Sequence, residues 1–105
     1  MARFVHPAKE DITLASVLGA LADPMRLKIL QTLLDKRNRR LSCTEAAPCG
    51  QMAKSTLSHH FRILRDAGLI RTVKQGVENL NTVRYADLNE RFPGLLLAIL
   101  KHSRP

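Results

Sequence analysis

Residues 54–68 constrain the fold of this chain more than any other segment. If the segment is helical, Leu57, Phe61 and Leu64 form one apolar stripe, because their spacing repeats with the helical turn. Gly68 then stands where helices commonly end, since glycine accepts the positive φ of a C-terminal cap. The pattern predicts an amphipathic helix that buries one face in a core and ends just before this glycine.

The opposite face of this helix, which we call the reading helix, has the chemistry of a DNA-contacting surface. A helix with one apolar side and one basic, donor-rich side suits insertion into the major groove. His60 is turned about 100° from His59 and is expected to pack half-buried beside the apolar stripe, whereas Arg65 and Asp66 are expected to be surface charges. The residues on the donor-rich face are Ser55, Ser58, His59 and Arg62.

The positive charge of the chain is concentrated around this helix. The net charge is +8, and ten of the 17 Lys and Arg residues lie between positions 36 and 84, against three acidic residues there. Residues 1–35 have no net charge. This distribution is typical of a polyanion binder and argues against the alternative, a basic chain whose charge only keeps it in solution. For the basic connector at 36–40, a solvated loop and a phosphate contact are equally consistent with the sequence.

Helices are also predicted before the reading helix. Asp23 followed by Pro24 is a typical helix start, with an N-cap and a proline at the first helical position. Ser42 or Thr44 is expected to act as a local cap for one further turn. The predicted segments are residues 1–10 as an N-terminal arm, then helices over 12–22, 24–34 and 44–47.

A hairpin and a last helix are predicted after the reading helix. The hairpin turns around Gln75 and Gly76, with residues 77–79 lengthening the turn. Asp87 and Glu90 have the spacing of a capping box, which predicts another helical start. The resulting fold is mainly α with a β-hairpin wing, a winged helix-turn-helix (α-α-α-α-β-β-α) over residues 11–105. The predicted segments are strands over 70–74 and 80–86 and a helix over 93–101.

The first and last helices carry more apolar surface than a core of this size needs. Surplus apolar surface on a small domain usually meets a partner, and a two-fold homodimer is the simplest closed assembly. We therefore expect a homodimer. The residues predicted at its interface are Leu14, Val17, Leu18, Leu96 and Ile99.

Two blocks of sequence resemble the ArsR (arsenic-repressor-like) family of bacterial winged-helix transcription factors. They are Leu21-Ala-Asp-Pro-Met-Arg-Leu-Lys-Ile-Leu30 and the reading helix with the two residues after Gly68. The resemblance implies a homodimer built from the first and last helices, with the reading helix in the major groove and the wing along the backbone or minor groove. The DNA-contacting residues that it implies are Lys54, Ser55, Thr56, Ser58, His59 and Arg62 of the helix and Lys74 and Gln75 of the wing.

The sites of metal-sensing family members do not carry over to this sequence. Those members have a Cys-x-Cys cluster before the reading helix or an Asp/His set on the last helix. Here Cys43 and Cys49 have five residues between them, and His102 stands at the end of the last helix without an acidic neighbour. No metal or cofactor is expected, and the two cysteines are weak candidates for a thiol or metal sensor. We expect Cys43 to be buried, Cys49 to be exposed on a loop, and His6 to lack a partner.

Other function classes fit the sequence less well. Catalysis is disfavoured because the neighbouring serines and histidines share one exposed helix without an orienting carboxylate. With three Phe, one Tyr and no Trp, the chain has too few aromatic side chains for an RNA-stacking platform. The apolar run at 95–100 is too short to span a bilayer, and the N-terminus has no signal-peptide core. We expect a cytoplasmic, sequence-specific regulator of double-stranded DNA, acting as a dimeric repressor at a palindromic operator, with an unknown effector. A winged-helix protein-interaction module is the alternative.

Overall fold

Six α-helices and three β-strands follow one another in the computed structural model, which describes residues 4–47 and 52–103. This architecture confirms the predicted winged helix-turn-helix, and the reading helix is α4. No helix in the described ranges has the length and apolarity needed to cross a membrane. After a short 3-10 helix at Lys9–Asp11, the elements are α1 Leu14–Ala20, α2 Pro24–Asp35, β1 Leu41–Ser42, α3 Cys43–Ala46, α4 Lys54–Asp66, β2 Ile70–Gln75, β3 Glu78–Val83, α5 Tyr85–Arg91 and α6 Leu95–Ser103.

Local caps define where the early helices begin. Thr13 caps α1 through its side chain, so this helix starts two residues later than predicted, and it also ends two residues earlier, at Ala20. The carboxylate of Asp23 accepts a hydrogen bond from the backbone N–H of Arg26 at 3.0 Å, which confirms the predicted N-cap of α2. Ser42 and Glu45 form a reciprocal capping box at α3. Each of these starts depends on residues no more than three apart.

The wing is a three-stranded antiparallel sheet in the order β1-β3-β2. Sequence patterns predicted two of these strands and missed β1, because a two-residue strand has no periodicity. The missing strand pairs Leu41 with Asn81 and Ser42 with Leu80. It joins the entry of α3 to the wing, so the helix-turn-helix and the hairpin share one sheet.

The hairpin turn is tighter than predicted. Gln75 pairs directly with Glu78, and Gly76 has a φ of +62°. A two-residue turn with glycine in the left-handed region matches the twist of the flanking strands. The prediction that residues 77–79 lengthen the turn was therefore wrong, and β3 begins at Glu78 and not at residue 80.

The helix after the wing also begins earlier than predicted. β3 ends at Val83, and α5 begins at Tyr85, two residues before the predicted capping box. The carboxylate of Asp87 does not cap this helix, because it accepts hydrogen bonds from the guanidinium of Arg84 at 3.0 and 3.1 Å. Arg84 is 7% exposed, so the ion pair compensates its buried charge.

The core of the domain lies beneath α4. Phe61 and Leu64 are almost completely buried and belong to one apolar cluster with the leucines and isoleucine of α2. Gly68 ends the helix with a φ of +86°, and a Cβ at this position would lie 2.5 Å from the Cγ1 atom of Ile12. The buried face therefore fixes both the orientation and the end of the reading helix.

Candidate nucleic-acid interface

The outer face of α4 is an uncovered row of polar side chains. All six predicted DNA-contacting residues of the helix are exposed. Within the described ranges, only one of them has a polar partner, Arg62, whose Nε lies 3.9 Å from Oδ2 of exposed Asp66. An exposed pair of this length is weak. These side chains are therefore available to another molecule, and they are Lys54, Ser55, Thr56, Ser58, His59 and Arg62.

His60 anchors the adjacent side of the helix to the scaffold. Its Nδ1 lies 3.1 Å from Nη1 of Arg26, and the Nε of Arg26 also donates to the carbonyl of Ala20 at 2.6 Å. Because a guanidinium only donates hydrogen bonds, Nδ1 of His60 must accept. His60 is half-buried, as predicted, and holds α4 against α1 and α2.

The wing tip and the first turns of α4 border the same cleft. Lys74 and Gln75 are exposed at the end of β2, next to the turn. The cleft has a volume of about 420 Å³, and its walls come from α3, the N-terminal half of α4 and the start of β3. The wing tip and the reading face therefore lie on one side of the molecule. The lining residues are Ser42, Cys43, Thr44, Lys54, Leu57, Ser58, Val77, Glu78 and Asn79.

The basic connector at 36–40 lies at the other end of the sheet. It leads into β1, which runs antiparallel to β3, so it is close to the Val83 end and remote from the turn at Gly76. The guanidinium of Arg37 lies 5.1 Å from the ring centroid of Tyr85 and donates to the carbonyl of Leu34. The sequence was equally consistent with a solvated loop and with a phosphate contact, and this placement favours the solvated loop.

Arg65 is not the surface charge that the sequence predicted. It is half-buried, its Nη1 donates to Oγ1 of Thr72 at 3.3 Å, and its guanidinium lies 4.4 Å from the ring centroid of Phe4. His6, which was expected to lack a partner, accepts a hydrogen bond from the backbone N–H of Thr72 at 2.9 Å. The last turn of α4 is thus fixed to β2 and to the N-terminal segment.

A buried polar network beneath the wing was missed by the sequence reasoning. The hydroxyl of Thr72 donates to Oδ1 of Asn81 at 2.8 Å, and Nδ2 of Asn81 donates to the carbonyl of Leu41 at 3.1 Å. Thr72 and Asn81 are directly opposite in the strand register and are 3% and 0% exposed. The available signal was the alternation of β2, which turns Thr72 to the same side as buried Ile70.

Cys43 lies at the edge of this network. Its Sγ accepts a hydrogen bond from Nδ2 of Asn81 at 3.4 Å, and burial raises the pKa of the thiol. A protonated, half-buried thiol is a poor nucleophile and a poor metal ligand. In the parts of the chain that the structure describes, no group of three His, Cys, Asp or Glu side chains is arranged to hold a metal ion. Cys49 lies outside the described residues.

The first and last helices present a second, apolar surface. Leu14 and Leu18 are 45% and 48% exposed. Val17 and Leu96 were also predicted at the dimer interface. They are 0% and 3% exposed, because they lie in the core of the protomer, and so they cannot contact a second copy. An apolar groove of about 340 Å³ runs between α1, α2 and α6, lined by Leu18, Leu21, Leu27, Ile99, His102 and Ser103.

An anchored amphipathic helix, a preceding helical turn and a hairpin beside it define a winged helix-turn-helix protein. A family model described as a helix-turn-helix domain matches residues 21–73. The chain is 34% identical over 87 residues to the uncharacterized HTH-type transcriptional regulator YceK of Bacillus subtilis (strain 168), covering 83% of this chain and 86% of that protein. It is 33% identical over 81 residues to the arsenical resistance operon repressor of Staphylococcus xylosus, covering 72% and 70%.

A solved structure agrees with these relatives. An ArsR-like transcriptional regulator from Rhodococcus sp. RHA1 superposes with a TM-score of 0.58 and 28% identity, covering 84% of this chain and 76% of that one. The chain belongs to the ArsR family of winged helix-turn-helix transcription regulators.

Proposed function

We propose that this protein is a repressor that binds double-stranded DNA sequence-specifically, as a homodimer on a palindromic operator. The observation that carries the proposal is the outer face of α4. The helix is anchored by Phe61 and Leu64, while six donor or cationic side chains on the outer face are exposed. A rigid helix with free donors is what direct reading of base edges in the major groove requires.

The position along α4 suggests a role for each side chain. Lys54, at the N-terminus, is placed to neutralise a phosphate, and the first backbone N–H groups of the helix add to this contact. His59 and Arg62 have the reach for base edges, and an arginine pairs best with N7 and O6 of guanine. Lys74 and Gln75 of the wing then hold the flanking backbone and set the register.

The dimer is proposed to form through the apolar surface of α1 and α6. Leu18 lines the same groove as Ile99, and Leu14 is exposed one turn earlier on α1, so a second copy covers surface that is otherwise in water. A two-fold axis repeats the reading helix, so we expect half-sites about one helical turn apart or a multiple of it. Occupation of such a site within a promoter blocks transcription, and the name of the staphylococcal relative supports a repressor role.

Selection of bound duplexes from a random-sequence pool, followed by sequencing, tests the DNA proposal. We expect an enriched inverted repeat whose affinity falls steeply with salt. R62A should lose the enrichment. The matched control is R39A, which removes an exposed arginine from the connector at the far end of the sheet and should retain the motif. Enrichment of no sequence by the wild type contradicts the proposal.

Sedimentation without DNA tests the dimer separately. L18D places a carboxylate on a side chain that is exposed in the protomer, so the protomer should fold but the dimer should dissociate, because burying an unpaired charge is unfavourable. V77D is the control, since Val77 is 97% exposed at the wing tip and should leave the dimer intact. A monomeric wild type at micromolar concentration is the contrary result.

A further inference from the structure

Residues 4–7, which we call the N-terminal strap, lie along the outer edge of the wing. Among the described residues, the sheet order leaves one edge of β2 without a strand partner. On this strand the backbone N–H of Thr72 donates to Nε2 of His6 at 2.9 Å. An unpaired N–H on a sheet edge is usually left to water, so this hydrogen bond is a specific contact between the strap and the wing.

The same strap contacts the reading helix. The Phe4 ring centroid lies 4.4 Å from the guanidinium of Arg65, whose Nη1 donates to Oγ1 of Thr72 at 3.3 Å. The strap, the last turn of α4 and β2 therefore form a closed ring of contacts. Pro7 is held independently, because its carbonyl accepts from Nη1 of Arg84 at 2.7 Å. Without the His6 hydrogen bond, residues 4–6 of the described structure keep only the contact of Phe4 with Arg65.

The contact between His6 and Thr72 requires a neutral imidazole. Nε2 accepts the hydrogen bond, so the proton of the neutral ring is on Nδ1. A second proton removes the acceptor and creates a cation near three arginines: Arg65 of α4, Arg71 of β2 and Arg84 at the start of α5. Two acids lie near these arginines, and both are already paired: Asp87 with Arg84, and Asp66 with Arg62.

We propose that His6 is a pH-sensitive switch that ties the wing to the end of the reading helix, and that its protonation releases the strap and weakens DNA binding. The DNA part rests on the proposed function. Burial first, and then the charges of Arg71, Arg84 and Arg65, lower the pKa of His6 from its ordinary value of 6.5. A lowered pKa means that the closed strap is fully stabilised above pH 6.5 and that this stabilisation is lost as the pH falls through the folded-state value.

The switch acts on DNA binding through the relative position of two contacting elements. The reading helix and the wing touch adjacent parts of a duplex, so binding is strongest when their relative position is fixed beforehand. Every other group whose charge changes with pH is the same in wild type and in a variant at position 6. Only a variant at position 6 therefore separates the switch from the general effect of pH.

H6Q is that variant. The side-chain carbonyl of glutamine accepts from the N–H of Thr72 but does not titrate. V5A is the matched control, because Val5 is in the same strap and 83% exposed. In hydrogen exchange without DNA, wild type and V5A should lose protection of the Thr72 amide by about 3- to 10-fold between about pH 7.5 and about pH 5.5. H6Q should keep its protection.

The affinity for the duplex selected above, measured at fixed salt, tests the functional part. The Kd of wild type relative to that of H6Q should rise by about 3- to 10-fold over the same pH range, and V5A should follow wild type. Equal protection of Thr72 at both pH values in wild type overturns the switch. Opening of Thr72 with a constant ratio of Kd values overturns its coupling to DNA. If no duplex is selected at all, the proposed function fails, and the Thr72 measurement still decides whether His6 is a switch.

Discussion

The two ends of α4 differ in whether the rest of the fold holds their polar side chains. In the first two turns, Ser55, Ser58 and His59 are exposed and have no hydrogen-bond partner among the described residues. In the last turn, Arg65 is half-buried and bonded to β2. Arg62, one turn earlier, has only an exposed partner. The first end is free to contact another molecule, and the second fixes the direction in which the helix points.

The difference does not come from the helical pattern. Arg62 and Arg65 are three residues apart, so they are neighbours on the helix surface and only about 60° apart around its axis. What differs is the next layer. β2 and the N-terminal strap cover the helix at Arg65 and do not extend to Arg62. Whether a helix face can read DNA therefore depends on which neighbouring elements cover it, as well as on its own residues.

The largest effect is expected where the covered end of α4 terminates. G68A places a Cβ against Ile12 and forces a side chain into the left-handed region, at a φ of +86°. Backbone strain and overpacking together should lower the free energy of unfolding by about 3 kcal/mol. G19A is the control, because a Cβ there meets nothing within 4 Å and a helical alanine is favourable. Urea unfolding measures both, and equal stability of G68A and wild type contradicts the prediction.

The buried network beneath the wing should show the next effect. N81A removes the acceptor of the Thr72 hydroxyl and the side-chain donor to the carbonyl of Leu41, and should lower the free energy of unfolding by about 2 kcal/mol. N79A is the matched control. The buried Oδ1 of Asn79 has no partner in the described structure, so its removal should be close to neutral. Denaturant midpoints that shift equally for both variants would show that Asn81 is no more tightly held than its neighbour.

The two arginines of α4 should separate affinity from stability. R62A should weaken binding to the selected duplex by roughly 1–3 kcal/mol if the side chain reaches a base edge. It should leave unfolding unchanged, because the pair with Asp66 is exposed. R65A should lower stability by about 1 kcal/mol through the lost contact with Thr72. Gel shifts at fixed salt and urea unfolding are compared for both. Loss of stability in R62A, or none in R65A, removes the distinction between the two ends.

The sequence predicted those parts of the fold that depend on residues close to one another along the chain. α4, its end at Gly68 and the cap at Asp23 depend on residues within about one helical turn and appear as predicted, and of the two predicted candidates, Ser42 and Thr44, it is Ser42 that caps α3. The exposed face of α4 follows from the same periodicity. This is why the candidate interface could be outlined before the fold was known.

What the sequence did not predict depends on residues that are distant along the chain. β1 exists because Leu41 meets Asn81, 40 residues later, and the role of Arg65 depends on Phe4, 61 residues earlier. Thr72 and Asn81 are polar residue types that usually face solvent on a strand. Their burial depends on the strand register, which places them opposite each other so that their side chains form a hydrogen bond. The prediction of where α5 starts was wrong for a local reason, because the carboxylate of Asp87 binds the guanidinium of Arg84 and does not cap the helix.

The smallest expected effect concerns the cap that positions the other anchor of α4. Asp23 caps α2 at the residue that holds His60, and the backbone N–H of Arg26 keeps the pKa of this carboxyl below its ordinary value of 3.8. D23A should lower the free energy of unfolding by about 1 kcal/mol near neutral pH. The stabilisation by a carboxylate with a lowered pKa is present above pH 3.8 and is lost as the pH falls through the folded-state value, so wild type and D23A should converge in acid. D23N caps without titrating and should exceed wild type at low pH. Urea unfolding at about pH 7 and about pH 3 measures all three, and a constant gap between wild type and D23A would mean that the carboxylate charge contributes nothing to the cap.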